Sequence, residues 1–424
     1  MKDYRARIAD EMLRFKLEAK GAVLIEGAKW CGKTTTAEQI ARSILYMANP
    51  QEQERNLQAA DSNISMLLDG STPRLIDEWQ LAPKLWDAVR FEVDHREEMG
   101  QFILTGSAVP VDADSIKHTG TGRFAWLRMR PMSLWESGES NGCVSLQSLF
   151  DGEEQAGKAD DRDFHRLAFL VCRGGWPKAI GLSDRAALEQ AFDYVDAIAH
   201  SDISRVDNVR RDAAFTKRIL RSYARNQGTQ TSVRMLYDDI KTNEESSFSE
   251  NSISSYLYAL KKIFVIEDMP AWNPNLRSKA AIRTTDTRYF VDASIATAAL
   301  GLSPKDLVRD LNTFGLLFET MAVRDLRVYA DALGGEVSHY RDNNGLECDA
   351  VLHLRNGHYG LVEVKLGGDN AVEMAAKNLN KLESKLDLEK MPEPSFKMVL
   401  TGTGTYAYRR QDGVYVVPIG CLKP

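Results

Sequence analysis

Residues 27–34 read Gly27-Ala28-Lys29-Trp30-Cys31-Gly32-Lys33-Thr34. This is the pattern G-x-x-x-x-G-K-[ST]. Its glycines let the backbone curl so that several N–H groups point at phosphate oxygens. In such a loop Lys33 brings positive charge to the β- and γ-phosphates, and the Thr34 hydroxyl coordinates Mg²⁺. Thr35 completes the nucleotide-binding stretch. An acidic pair, Asp77-Glu78, ends the apolar run Leu75-Ile76. After a phosphate loop, Asp77 is expected to hold Mg²⁺ through water and Glu78 to polarise the attacking water. Leu104-Thr105-Gly106-Ser107 ends another apolar run. Thr105 or Ser107 could hydrogen-bond the γ-phosphate or that water; the alternative is an ordinary turn. A kinase for small molecules needs an acceptor pocket, not a glutamate beside the metal aspartate, so ATP hydrolysis is the better reading. There is no N-K-x-D sequence to read guanine, which favours ATP over GTP.

Such a site needs strands to aim it. Ala22–Ile25 is a short apolar strand candidate just before the loop, and a helix is expected from Thr34 to about Met47. Arg74–Asp77 and Gln101–Thr105 are further strand candidates, with a helix near 85–98 between them. Strands alternating with helices imply a parallel sheet with crossovers. Ahead of them, Ile8, Met12, Leu13 and Leu17 share one face of an amphipathic helix. Residues 151–163 are polar and mostly acidic and read as a surface linker. Beyond them the pattern turns helical over 164–173, breaks at Gly174-Gly175-Trp176-Pro177, and resumes over 185–200. Three more helices are expected within 211–265, and helix and strand patterns mix from about Leu316.

The 424 residues are enough for two to four domains. Net charge is −6, so nucleic acid would have to be met by a local patch. The five cysteines are scattered and contain no C-x-x-C pair, and the seven histidines contain no H-x-x-x-H pair. That argues against a disulfide framework or zinc site and fits a reducing cytoplasm. There is no signal-peptide core at the N-terminus and no apolar run long enough for a bilayer span, so no membrane association is expected.

Several segments together resemble a known family. They are GAKWCGKTTT (27–36), LIDEWQ (75–80), ILTGSA (103–108), Gly122-Arg123 with RPMSLWE (130–136), GGWP (174–177), Phe318-Glu319, Glu347-Cys348-Asp349 and Glu363-Val364-Lys365. The chain resembles bacterial and archaeal AAA+-type ATPases with a C-terminal domain of unknown function that has a PD-(D/E)XK nuclease-like core. The resemblance implies an α/β chain: an AAA+-like P-loop ATPase domain over 1–150, a helical lid over 164–205, a winged-helix-like domain over 206–300 and a PD-(D/E)XK nuclease-like domain over 301–424. It also implies that Arg123 stabilises charge on the transferred phosphoryl group, in its own subunit or a neighbour's.

The nuclease-like end has its own constellation. Glu363 and Lys365 share a sheet face by period two. Arg355-Asn356-Gly357, taken as a three-residue loop with Gly357 left-handed, places Asp349 opposite Glu363 and Glu347 opposite Lys365. A two-residue loop would shift the pairing by one and scatter the four charges. Asp349 and Glu363 would then bind Mg²⁺, Lys365 would steady water or phosphate, and Glu319 could add a carboxylate. The alternative is a surface hairpin held by cross-strand ion pairs.

Residues 205–241 hold Arg205, Arg210, Arg211, Lys217, Arg218, Arg221, Arg225, Arg234 and Lys241 against four aspartates, a local excess of five positive charges. With the helix pattern at 249–262 they suggest DNA contact over 205–262 and in the C-terminal domain, although that helix opens on Glu250 and carries no arginine in its first turn. A helical packing module with a solvated basic face is the other reading. Three functions remain in view. One is an ATPase whose nucleotide state controls the C-terminal module. The second is an ATP-dependent nuclease that processes nucleic acid. The third is a nucleotide-gated signalling switch with a catalytically inactive nuclease-like tail, which binds protein partners or further copies of itself.

Overall fold

In the computed structural model, residues 4–106, 120–160, 162–207, 209–241, 248–274 and 284–424 are described. Two compact units emerge: residues 1–131, 198–212 and 256–265 form the first, and 132–197, 213–255 and 266–424 the second.

The first unit opens with α1 (Ile8–Ala19), which buries Ala9, Leu13 and Leu17 as its 3.6-residue pattern requires. Asp10, in its first turn, accepts the Arg7 backbone N–H at 2.8 Å and closes the helix N-terminus. Strand β1 (Ala22–Glu26) follows, then α2 (Lys33–Glu38), β2 (Ser43–Tyr46), α3 (Gln53–Ser62), α4 (Ser65–Leu68), β3 (Arg74–Asp77), α5 (Lys84–Arg96), β4 (Phe102–Gly106) and β5 (Phe124–Arg128). The five strands form one sheet in the order β2-β3-β4-β1-β5, and every neighbouring pair is parallel. Successive β1 residues serve opposite faces. Ala22 and Leu24 join a core with Ile76, Trp86, Phe102 and Phe124. Val23 and Ile25 join another with Leu13, Leu17, Ile103 and Leu127. A strand covered on both faces reads as a continuous apolar run, which is how β1 stands out in the sequence.

The expected helix from Thr34 to Met47 is corrected. Helix α2 stops at Glu38, and Ser43–Tyr46 becomes a strand paired with β3 from Ser43↔Arg74 to Tyr46↔Asp77. Leu45 points inward while Ile44 and Tyr46 stay exposed, a period of two. Pairing with the open edge of β3 outweighs helix propensity in this stretch.

The second unit contains β6 (Val144–Ser145), α6 (Leu146–Phe150), β7 (Gly157–Lys158), α7 (Phe164–Arg173) and α8 (Asp184–Ala197). Helices α9 (Ala213–Arg225), α10 (Val233–Lys241), α11 (Glu250–Lys262), α12 (Ala293–Leu300), α13 (Pro304–Arg309) and α14 (Leu311–Ala332) follow. The chain passes between units within α11, at 255–256. The rest is β8 (Gly335–Arg341), β9 (Glu347–Leu354), β10 (Tyr359–Lys365), α15 (Asp369–Lys385), β11 (Phe396–Thr401), β12 (Tyr406–Arg409), β13 (Tyr415–Pro418) and β14 (Leu422–Lys423). Seven strands form a mixed sheet in the order β7-β12-β13-β11-β10-β9-β8. Helix α15 covers one face through Val372, Ala375, Ala376, Leu379 and Leu382. The three helices expected within 211–265 are α9 to α11. The segment 151–163 is not a free linker: its Gly157–Lys158 pairs with Ala407 and Tyr406 at the edge of this sheet.

A buried ionic network holds the second unit. The Arg324 guanidinium on α14 is fully buried, 2.8 Å from Asp292 Oδ2 and 2.6 Å from Asp325 Oδ1. Asp292 Oδ2 also accepts the Gly175 N–H at 2.9 Å, and Asp325 Oδ2 accepts the Leu134 N–H at 2.9 Å. The Trp176 indole N–H donates to Ser294 Oγ at 2.9 Å. Gly174 and Gly175 have no room for a side chain: added Cβ atoms would lie 2.4 Å from Asp292 Oδ1 and 2.1 Å from the Met132 carbonyl oxygen. Replacing Arg324 with Ala strands two buried carboxylates, which costs on the order of 3–5 kcal/mol. The Arg324→Ala protein should unfold at clearly lower denaturant than wild type. Equal midpoints in urea titrations followed by far-UV circular dichroism would contradict this role.

Candidate functional site

All five strands of the first unit run the same way, so their C-terminal ends share one edge. Register places Glu26 beside Gly106 and Arg128, and Asp77 beside Thr105. The glycine loop leaves this edge from β1 and enters α2. Gly27 adopts φ 153°, and an added Cβ there would lie 2.0 Å from the Met129 carbonyl oxygen. Gly32, at the start of α2, has φ 105°. Both positions therefore need glycine.

The charged and hydroxyl groups of the motif converge here. Lys33 is buried and donates from Nζ to the Gly27 and Ala28 carbonyls at 2.8 and 2.9 Å. Thr34 Oγ1 donates to Asp77 Oδ1 at 2.8 Å, and Thr105 Oγ1 donates to the same oxygen at 2.6 Å. Glu78 follows with φ 56°, a left-handed conformation that is unusual for glutamate and costs on the order of 1 kcal/mol. Its Oε2 accepts a hydrogen bond from the Gln80 amide. Ser107 lies outside the described residues. Of the Thr105/Ser107 pair, Thr105 is the one seen on the Asp77 carboxylate.

Other groups brace the loop. Arg7 donates to the Cys31 carbonyl at 2.8 Å and to the Arg130 carbonyl at 2.9 Å. Cys31 Sγ donates to the Met129 carbonyl at 3.4 Å. Lys29 forms an ion pair with Asp202, on a one-turn π-helix at Ile198–Asp202. Trp30 has φ 66° and is 39% exposed. Burial pushes the Glu26 carboxyl up, and Arg128 and Lys262 oppose that shift. No spacing rule could have found Arg7 or Asp202, since each acts across a long stretch of chain.

Residues 19–137 match the model of an AAA domain. That part of the chain is an AAA-type P-loop domain. Residues 164–306 and 314–422 match two domains of unknown function, DUF8612 and DUF4143. The uncharacterized protein Rv2008c of Mycobacterium tuberculosis and the uncharacterized protein Mb2031c of Mycobacterium bovis are each 22% identical over 366 residues, 85% of this chain and 73% of theirs. The Walker-type ATPase PABY2304 of Pyrococcus abyssi aligns at TM-score 0.42 and 14% identity, over 70% of this chain and 96% of its own. The ORC1 protein of Aeropyrum pernix in complex with DNA aligns at TM-score 0.23 and 12% identity, over 73% and 95%. Among the described residues no helix is long and apolar enough to cross a membrane.

Within the AAA-type domain, one expected residue is not brought to the site. Arg123 precedes β5, at the strand's N-terminal end, and its carbonyl accepts the Ala22 N–H at 3.2 Å. The glycine loop leaves the other end of the neighbouring β1. Strand length separates the two by roughly 13–17 Å. The Arg123 side chain is 44% exposed and pairs with Asp94 at 2.8 Å. Arg123 therefore does not reach the phosphate loop of its own chain.

In the second unit, the hairpin forms with the expected register. Val362 lies opposite Ala350, Tyr359 lies opposite His353, and Gly357 is left-handed at φ 88°. Lys365 Nζ lies 2.7 Å from Glu363 Oε2 and 3.0 Å from Asp349 Oδ2. Burial would lower the lysine, but Asp349 and Glu363 more than offset it and push it up. Burial and then Asp349 raise Glu363 well above the carboxylate range, and the same two causes raise Glu319 to about 8. Glu319 accepts a hydrogen bond from the Tyr289 hydroxyl. Glu347 departs from the expected set: it is exposed and pairs with Arg341 at 3.7 Å. Among the described residues no group of three His, Cys, Asp or Glu side chains is arranged to hold a metal.

Four of the nine basic side chains at 205–241 are seen in ion pairs within the protein. Arg211 pairs with Asp207, Lys217 with Asp196, Arg225 with Asp239, and Arg234 with Asp238 and Glu250.

The tightest requirement at the AAA-type site is the open space at Gly27. Gly27→Ala should weaken nucleotide binding at least tenfold, because the loop must shift to clear Met129. Binding measured by calorimetry at wild-type affinity would show that the close approach is not needed.

Proposed function

We propose that the AAA-type domain binds ATP with Mg²⁺ and hydrolyses it. The observation that carries this reading is the sharing of Asp77 Oδ1 by the Thr34 and Thr105 hydroxyls, beside a lysine held by the loop's own carbonyls. Hydroxyl and carboxylate oxygens are the hard ligands that Mg²⁺ takes. Thr34 and Asp77 would hold the ion, which when bound would neutralise phosphate charge. Loop amides and Lys33 would take the β- and γ-phosphates, the ammonium exchanging two neutral carbonyls for anionic oxygens. Glu78, at the strand end beside Asp77, would orient and polarise the attacking water, and Thr105 would hold the Asp77 carboxylate in place. The left-handed backbone at Glu78 supports this role, because backbone strain of this kind concentrates at functional positions.

In this reading the nucleotide state controls the second unit, which the chain enters and leaves repeatedly, once inside α11. Lys33→Ala should lose nucleotide affinity. Glu78→Gln should keep nucleotide and lose turnover by roughly 100-fold or more. Phosphate release by the Glu78→Gln protein at the wild-type rate would reject the assignment of Glu78.

A second activity is favoured by one specific observation. Glu363 is 1% exposed, and among the described residues its Oε1 has no hydrogen-bond partner, while Oε2 meets Lys365. Two carboxylates and a lysine suit a Mg²⁺ ion that keeps most of its waters and meets a phosphodiester. Asp349 and Glu363 would hold the ion and Lys365 would steady the phosphate. Purified protein should then cleave single- or double-stranded DNA or RNA with Mg²⁺ or Mn²⁺, and Lys365→Ala should not. A wild-type protein inert on all four with both ions would reject this second activity and leave the ATPase reading standing.

A further inference from the structure

Cys143 and Cys421 are far apart in sequence, yet the fold sets them side by side. Cys143 directly precedes β6, and Cys421 directly precedes β14. These two strands pair in parallel with Leu422 opposite Val144 and Lys423 opposite Ser145, which brings residue 421 opposite residue 143. Paired strands lie about 4.8 Å apart, inside the Cα separation that a disulfide spans. Both segments are pinned. The Asn141 N–H donates to the Gly420 carbonyl at 2.8 Å, Ser140 Oγ donates to the Leu422 carbonyl at 2.7 Å, and Ser145 Oγ donates to the Pro424 carbonyl at 2.9 Å.

The surroundings distinguish the two sulfurs. Cys143 is half-buried and Cys421 is buried. Gly157 leaves the Cys143 sulfur its space, since a Cβ at that position would lie 2.5 Å from Sγ. Burial, and then the hydrogen bond to Cys143, push the Cys421 thiol well up. The more accessible Cys143 is therefore the first to meet an oxidant, with Cys421 waiting in contact.

We propose that Cys143 and Cys421 form a reversible disulfide, a redox modification site that ties the C-terminal strand to residues 140–145. The oxidant is a hydroperoxide. The Cys143 thiolate attacks the peroxide oxygen, the O–O bond breaks, and a sulfenic acid and one water or alcohol result. The Cys421 sulfur then attacks the Cys143 sulfur. The S–S bond forms, the S–O bond breaks, and the departing hydroxide takes the Cys421 proton as water. Two thiols lose two electrons and the peroxide gains them. A small-molecule dithiol reverses the step by exchange. This inference does not rest on the ATPase reading.

The test treats reduced full-length protein with a small excess of hydrogen peroxide, followed by alkylation in denaturant and peptide mass spectrometry. The expected product has three alkylated cysteines of the five. It also yields one cross-linked pair of peptides containing 143 and 421, lighter by two hydrogens and restored by dithiothreitol. Its melting temperature should rise by roughly 5–10 °C, because the link closes a long loop. Cys143→Ser should melt like the reduced protein and show neither change. The proposal is overturned if Cys143 passes to sulfinic acid while Cys421 stays alkylatable. It is also overturned if all five thiols survive peroxide.

Discussion

Five parallel strands can present their C-terminal ends at one edge only. Everything chemical in the first unit follows from that constraint. The glycine loop, the Asp77-Glu78 pair and Thr105 come from three different strands, and only a shared direction brings them within hydrogen-bond reach. The same constraint removes Arg123. A residue at the start of β5 is committed to the opposite edge, whatever its charge. Its pairing with Asp94 is what an exposed arginine at that edge does.

Two of the segments that carry the resemblance, GGWP and RPMSLWE, take part in the buried ionic network of the second unit. Leu134 of RPMSLWE and Gly175 of GGWP donate their backbone N–H groups to Asp325 and Asp292, the two carboxylates that flank Arg324. A fully buried guanidinium with two carboxylates tolerates little variation, because removing either sign leaves a bare charge. Glycines at 174 and 175 are required by contact distance with Asp292 and Met132.

Sequence legibility followed the range of the interaction. The loop and β1 are read locally: glycine spacing and a doubly buried apolar run are sufficient. The C-terminal hairpin was legible except for its turn length, which the sequence left open between two and three residues; the left-handed Gly357 selects the longer turn. The edge strand at 43–46 was not legible, since its strand state depends on an open edge of β3 built thirty residues later. Lys29 with Asp202, and Glu319 with Tyr289, were invisible for the same reason. Residues 151–163 misled because acidic composition was read as solvation, when part of the segment closes a sheet edge. Cysteine spacing carried no sign that residues 143 and 421 are neighbours, which they become only when β6 meets β14.

The two lysines of the candidate sites differ in one physical respect. Lys33 is held by neutral carbonyls, whose dipoles satisfy the ammonium without cancelling its charge. An arriving phosphate gains nearly the whole Coulomb attraction, on the order of 4 kcal/mol per unit charge pair at 4 Å and an effective dielectric of 20. Lys365 sits between Asp349 and Glu363, so its charge is already spent. A phosphodiester approaching Lys365 must compete with carboxylates, and a cation approaching the carboxylates must compete with Lys365. The first site is therefore open to an anion as it stands. The second is neutralised internally, so in the proposed second activity ion and phosphate would have to arrive together, each taking over the partner that the other displaces.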